Sequence, residues 1–361
     1  MKTKQLLIAF VALLAVSVTA GNDITKGKYT KEKKIKKEFD VSAEALLKIS
    51  NSYGDLDITS WDQNRTVIEV TVTTSGNDED KVQDKLDEID VIFDASREMV
   101  SARTTFDNDR NRSWWNSWRN NNVNMKVNYT IKVPVTNSID LNNDYGAIFL
   151  NEIKGRAKIS CDYGRLELGN LLSTDNELRF DYSKNSTVSF MAGGKIVADY
   201  SGFTIEKAGN IELNADYNSS EFIEVGNLEY TCDYGSLKAE SAKHINGRGD
   251  YLSLRLGEVS GNVDIVADFG SIRIEELTPL AGNVKIRTDY TGVKIGYHPD
   301  YAFTFNINLE YAGLSGKEDL EITKTREERS DKYYEGYYKS KNAPHTIDID
   351  SEYGGVSLIK Q

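Results

Sequence analysis

The 361-residue chain is poor in the residues that most chemistry needs: it has two cysteines, three histidines and, after its first twenty residues, no apolar run long enough to cross a membrane. Each shortage excludes something. His244, His298 and His345 stand far apart and in different repeats, so no metal-ligand spacing and no Cys/His pairing is present. Nucleophile elbows and phosphate loops are also missing. No catalytic residue, metal or cofactor is therefore assigned. Cations are outnumbered as well. Lys and Arg total 44 against 56 Asp and Glu, a net charge of −12. Without Lys2 and Lys4 it is −14, which argues against nucleic acid as a partner.

What the chain has in abundance is one repeated phrase. An acidic residue followed by an aromatic recurs at Tyr145, Tyr163, Tyr182, Tyr200, Tyr217, Tyr234, Tyr251, Phe269, Tyr290, Tyr311 and Tyr353. The spacings are 18, 19, 18, 17, 17, 17, 18, 21, 21 and 42, the last being twice 21. A short, persistent period is the signature of stacked repeats. Apolar residues alternate up to the aromatic (Val284 and Ile286 before Tyr290) and resume after it with parity shifted by one (Val293, Ile295). Alternation at period two is a strand with one buried face, and the parity shift demands an extra residue at a bend. Gly146, Gly164, Gly235 and Gly270 sit at the shift, where glycine would ease a sharp corner. Gly-Asn pairs such as Gly209-Asn210 and Gly261-Asn262 mark a second corner. Counted in parity with its apolar neighbours, the aromatic column faces inward, so Asp at position 234 should bury an unpaired charge.

Two arrangements satisfy this pattern: a β-solenoid with one coil per repeat, or a long antiparallel meander of hairpins. Like residues recurring in one column favour the coil, and the crossover rule favours a right hand. The expected fold is all-β, a right-handed parallel β-solenoid (β-helix) of 17–21-residue coils with an N-terminal β-rich cap containing one helix.

The chain divides accordingly. Residues 1–20 read as a signal peptide: Lys2 and Lys4, an apolar stretch from Leu6 to Val18, then Val18-Thr19-Ala20. No cysteine follows, so no lipoprotein anchor is expected. Residues 21–36 read as a lysine-rich, solvated linker. Residues 37–136 form the cap. Within it, Val67–Thr73, Val91–Phe93, Met99–Phe106 and Met125–Val135 read as strands, and Val82, Leu86 and Ile89 have helical spacing. A first repeat, Leu47–Ile58 around Tyr53, is written 92 residues before Tyr145. Residues 137–316 hold the main repeats, 317–343 a charged Tyr-rich insertion and 344–361 a final unit.

Leu47-Lys48-Ile49-Ser50-Asn51-Ser52-Tyr53-Gly54-Asp55-Leu56-Asp57-Ile58, Trp61, the strand-helix-strand insert and the Asp-Tyr-Gly units together resemble the adhesin-like β-strand repeat family of exported bacterial proteins. The resemblance covers everything after residue 36. It implies a right-handed parallel β-helix, a role at the surface or in the periplasm of a Gram-negative bacterium, and no catalytic residues; the partner expected is an envelope protein or a glycan.

The acidic column from Asp144 to Glu352 invites comparison with carboxylate-bearing β-helix enzymes, but catalysis needs carboxylates in distinct environments. A carboxylate in every repeat has the same task in every repeat, most simply accepting a corner N–H. Cys161 and Cys232 both fall two residues before the aromatic, in a small-residue column, and four repeats apart. They read as buried thiols, because four steps of strand spacing, roughly 19 Å, exceed disulfide reach. Trp114, Trp115 and Trp118 within 107–122, and Tyr333, Tyr334, Tyr337 and Tyr338 in the insertion, are the candidate partner- or glycan-binding residues. The insertion reads as a protruding hairpin. The functional expectation is a non-enzymatic adhesin-like or scaffolding protein of the cell envelope. Alternatives are a carbohydrate-active or polysaccharide-binding β-helix protein, or an envelope-stress or assembly factor.

Overall fold

The computed structural model describes residues 27–106 and 123–361. They are all-β with a single helix and fall into two compact units, Met1–Ser173 and Thr174–Gln361. Each unit contains a large, mostly parallel sheet that stays open. The leader (1–20) and the tryptophan segment with Trp114, Trp115 and Trp118 lie outside the described residues.

In the first unit, Leu46–Ser52 pairs in parallel with Met99–Phe106 on one side and with Ser138–Asp144 on the other. Leu56–Trp61 does the same between Val123–Pro134 and Ile148–Ile153. Ala157–Asp162 and Leu166–Leu171 then add the next rung. The 92-residue gap between Tyr53 and Tyr145 thus closes in space, with Leu47 opposite Ile139. The insert supplies an antiparallel region in which Tyr29–Asp40 pairs with Arg65–Gly76 and that strand with Val123–Pro134. Helix Glu79–Asp87 buries Val82 and Leu86 against it, and the Asp78 carboxylate caps its first turn by accepting from the Lys81 N–H.

The strand Tyr29–Asp40 corrects one expectation, because the second half of the stretch 21–36 read as a solvated linker, from Tyr29 on, is paired residue by residue with Arg65–Gly76. Lys34, Lys36, Glu38 and Asp40 form its exposed face, while Lys31, Lys33, Ile35, Lys37 and Phe39 share the half-buried one, where the Lys33 ammonium donates to the Ile89 carbonyl at 2.5 Å. Charge on an edge strand is how sheets discourage further pairing.

In the second unit successive repeats as far as Val284–Asp289 pair in parallel in matched register: Ile245 with Val263, Val263 with Val284, Asp268 with Asp289. The run Gly202–Asp250 keeps its ladder pairing without a break past its corners at Tyr217 and Tyr234. The core between the two strand rows is aliphatic, with Phe180, Phe203 and Phe222 edge-to-face at 5.5 and 5.8 Å. Tyr230 is buried there too, its ring lying where a Cβ on Gly247 would stand. Cys161 and Cys232 are buried thiols in the inner column, one in each unit.

The last repeat in sequence is not the last in space. His345–Glu352 lies between Val284–Asp289 and Phe303–Glu310, and Val356–Lys360 between Gly292–Tyr297 and Leu314–Ser315. The Tyr-rich insertion is a hairpin, but it folds onto the stack. Asp331–Tyr338 pairs antiparallel with Phe303–Glu310, and Glu321–Glu328 pairs antiparallel with Asp331–Tyr338.

Candidate ligand-binding face

Each repeat turns its corner on the aromatic itself. Tyr182, Tyr200, Tyr217, Tyr234, Tyr251, Phe269, Tyr290, Tyr353 and Tyr311 all have φ between 49° and 54°, in the left-handed region. This overturns the inward assignment. A left-handed residue redirects its own Cβ while its neighbours continue into the core, so the ring points out and parity shifts at that residue. Glycine after the aromatic serves another purpose. A Cβ at Gly146 would stand 1.9 Å from the Gly54 carbonyl oxygen, so close approach of adjacent rungs, and not a positive φ, requires it.

The outward rings stack. In the second unit the nine rings form one continuous column in the order just given, with centroids 4.6–5.1 Å apart and planes within 2–10° of parallel. Each remains 44–59% exposed. In the first unit Tyr53, Tyr145 and Tyr163 stack at 5.2 and 5.1 Å, and Phe106 meets Tyr53 edge-on.

Backbone bonds hold the corner. The Tyr200 N–H donates to the Asp216 carbonyl, Phe269 to Asp289 and Tyr290 to Glu352, each at 3.0 Å. In return the acidic side chain of one rung accepts the N–H of the next acidic residue. Asp181 accepts from Asp199 at 3.2 Å, Asp216 from Asp233 at 3.1 Å and Asp233 from Asp250 at 2.8 Å. The acidic column thus has the N–H-accepting task read from its repetition, with the donor supplied by the neighbouring rung. Its charges repel one another. The Asp250 carboxyl is held above the usual carboxylate range by desolvation and then by Asp233 and Asp268, and Asp144 by desolvation and then Asp162. Burial pushes the Cys232 thiol up to about 12, which leaves it unreactive.

The other expected site residues are distributed differently. Tyr334 and Tyr338 are core residues. Tyr338 packs on Tyr297 and Phe303, and the Tyr334 hydroxyl donates to Glu327 at 2.7 Å. Tyr333 and Tyr337 are half-buried on the opposite face of the same strand. Alternation at period two makes this split unavoidable once the strand joins the sheet. His244 and His298 serve turns, each accepting a backbone N–H at Nδ1 at 2.9 Å, from Asn262 and Asp300. The aromatic column was legible as a repeat, yet its exposure could not be read from alternation, which contains no signal for a left-handed residue.

No family model and no curated protein matches the chain. Solved structures do. A candidate adhesin from Parabacteroides merdae is 12% identical over 90% of this chain and 96% of its own, with a TM-score of 0.30. One from Parabacteroides distasonis is 12% identical over 93% and 98%, also at 0.30. A structure titled as a lipid-binding protein, again from P. distasonis, is 10% identical over 90% and 96%, at 0.28. At these scores the likenesses say nothing of this chain's own function. No helix among the described residues is long and apolar enough to cross a membrane.

Proposed function

We propose that this chain is an exported, non-enzymatic, adhesin-like protein of the bacterial envelope whose repeats wind as a right-handed parallel β-solenoid. Its exposed aromatic column is the binding face. Parallel pairing of neighbouring rungs in matched register supports the coil, and the leader-like first twenty residues support export. A non-enzymatic role follows from the uniform task of the carboxylates, which accept backbone N–H groups rung after rung. The observation that carries the reading is the nine-ring stack. Half-exposed rings at roughly 100 Å² each amount to on the order of 900 Å² of contiguous aromatic surface, above the 300–600 Å² of an ordinary monomer's largest patch.

The test replaces Tyr217, Tyr234 and Tyr251 with Asn, which tolerates the left-handed corner but removes the rings. The variant should stay folded by circular dichroism and lose attachment to bacterial envelopes. A folded variant that attaches as well as the parent would end the reading. Protease treatment of intact cells, read by immunoblot, tests export to the surface.

A further inference from the structure

Beside the aromatic column, four cations occupy successive rungs of a chain that is otherwise acidic. Lys238 is in register with Arg255, Arg255 with Arg273 and Arg273 with Lys294. They stand four residues after Tyr234, Tyr251, Phe269 and Tyr290, so the cationic row runs parallel to the rings. At the strand spacing it is about 14 Å long. Between row and rings the chain rises only to Ser236, Ser253, Ser271 and Gly292, and a Cβ at Gly292 would meet nothing within 4 Å. The Ser271 hydroxyl donates to Ser253 at 3.4 Å, and both serines are exposed. The outcome is an open trough with aromatic edges along one side and cations along the other.

The cations differ in how committed they are. Lys238 pairs with Glu221 at 3.0 Å and contacts Glu240, and the Arg273 fork grips Glu275. Arg255 and Lys294 form no ion pair among the described residues; their charges reach Glu275 only through space. Two cationic side chains are thus available to an outside partner, held in a row by two that are anchored.

We propose that this trough binds a linear acidic polysaccharide laid along the stacking axis. Its carboxylates would lie on Arg255 and Lys294, its hydroxyls on the serines and its apolar ring edges against the aromatic column. The proposal rests on the reading of the aromatic face as the binding face and names its ligand class. Three features favour a uronate polymer. A surface that repeats every rung is matched by a ligand that repeats. Two uncommitted cations in about 14 Å suit a chain with a carboxylate on every sugar or every second one, whereas duplex nucleic acid carries a charge every ~1.7 Å. The acidic column on the far side of the rings, Asp233 to Asp289, repels an anionic chain there and confines it to the trough.

Titration calorimetry of the full chain with an octamer of galacturonic acid tests this, with a neutral cello-oligosaccharide and oligo-dT as comparison probes. Binding of the uronate alone is expected, weakening with added salt, and a loss of at least tenfold in the Arg255→Glu/Lys294→Glu variant. Ser253→Trp, which fills the trough without touching a charge, should lose binding too. Unchanged thermal midpoints show that both variants are folded. Absence of uronate binding, equal binding by the charge-reversed variant, or equal binding of the neutral or nucleic-acid probe would overturn the proposal. If envelope attachment still needs the tyrosines in that case, the aromatic face stands and only the ligand class fails.

Discussion

A tyrosine at φ near +54° bears a backbone cost of about 1–2 kcal/mol that glycine would not. The chain accepts that cost at nearly every corner, and ring stacking, at about 0.5–1.5 kcal/mol per pair, offsets much of it. Replacing Tyr234 with Asn should therefore cost no more than about 1 kcal/mol. Tyr234→Val, β-branched at the same φ, should cost about 2–3 kcal/mol. Urea unfolding of the two variants measures the difference, and equal losses would show that the corner conformation contributes nothing. Inside the core the Tyr230 hydroxyl is buried with no hydrogen-bond partner among the described residues. Tyr230→Phe should raise stability by about 1 kcal/mol, since the hydroxyl is desolvated for no bond. Asp250 can be tested through pH. Its folded-state pKa is raised, so its charged form is disfavoured in the fold. The stabilising contribution of its protonated form is present below the unfolded pKa and lost as pH rises through the raised one. Asp250→Asn keeps an oxygen acceptor without the charge. It should match or slightly exceed the parent at pH 7 in thermal melts, with the difference vanishing near pH 3.

At the scale of elements, the two strands made from the charged stretches close the exposed edges of pairing. Every residue of Glu321–Glu328 is exposed, and the strand alternates few apolar groups with Glu, Lys and Arg. Behind it, Tyr338 belongs to a ring cluster with Tyr297 and Phe303. Tyr338→Ala should cost about 3–5 kcal/mol in denaturant unfolding, while Tyr333→Ala, on the wetter face, should cost less than about 1 kcal/mol. Similar losses would contradict the assignment of faces. These two strands also show what sequence could convey. Helix Glu79–Asp87 was legible from the helical spacing of Val82, Leu86 and Ile89, and the repeat pairs from Ile and Val alternation. The lysine-rich strand was not, because its pairing is decided by a partner some 25–50 residues away and its own composition suggests solvent. The outward rings were hidden for a different reason: alternation records which residues share a face only while φ stays negative, and it fails at the one residue that turns.

For the second unit as a whole, stability should behave as a chain of nearest-neighbour contacts with one exception. Deleting residues 345–360 removes a rung from between the Tyr290 and Tyr311 rungs. Such a deletion should strip protection in hydrogen exchange from the amides of Phe303–Glu310 that face the missing rung, leaving those paired with Asp331–Tyr338, and should expose Tyr297 and Phe303. Removing an outermost strand such as Glu321–Glu328 should leave that protection largely intact. Comparable exchange in the two deletions would mean that the rung is not held where the register puts it.

That interleaving also imposes an order of events on a newly made chain. Phe303–Glu310 is synthesised before His345–Glu352, yet its parallel neighbour in the finished stack is the later strand. The earlier segment can therefore pair early only with Asp331–Tyr338 on one side, and its other side must either wait or pair wrongly with Val284–Asp289 and then be displaced. A stack whose inner rung is its last-made strand cannot be finished from the N-terminal side alone, and it locks only once that late strand has slid into the gap.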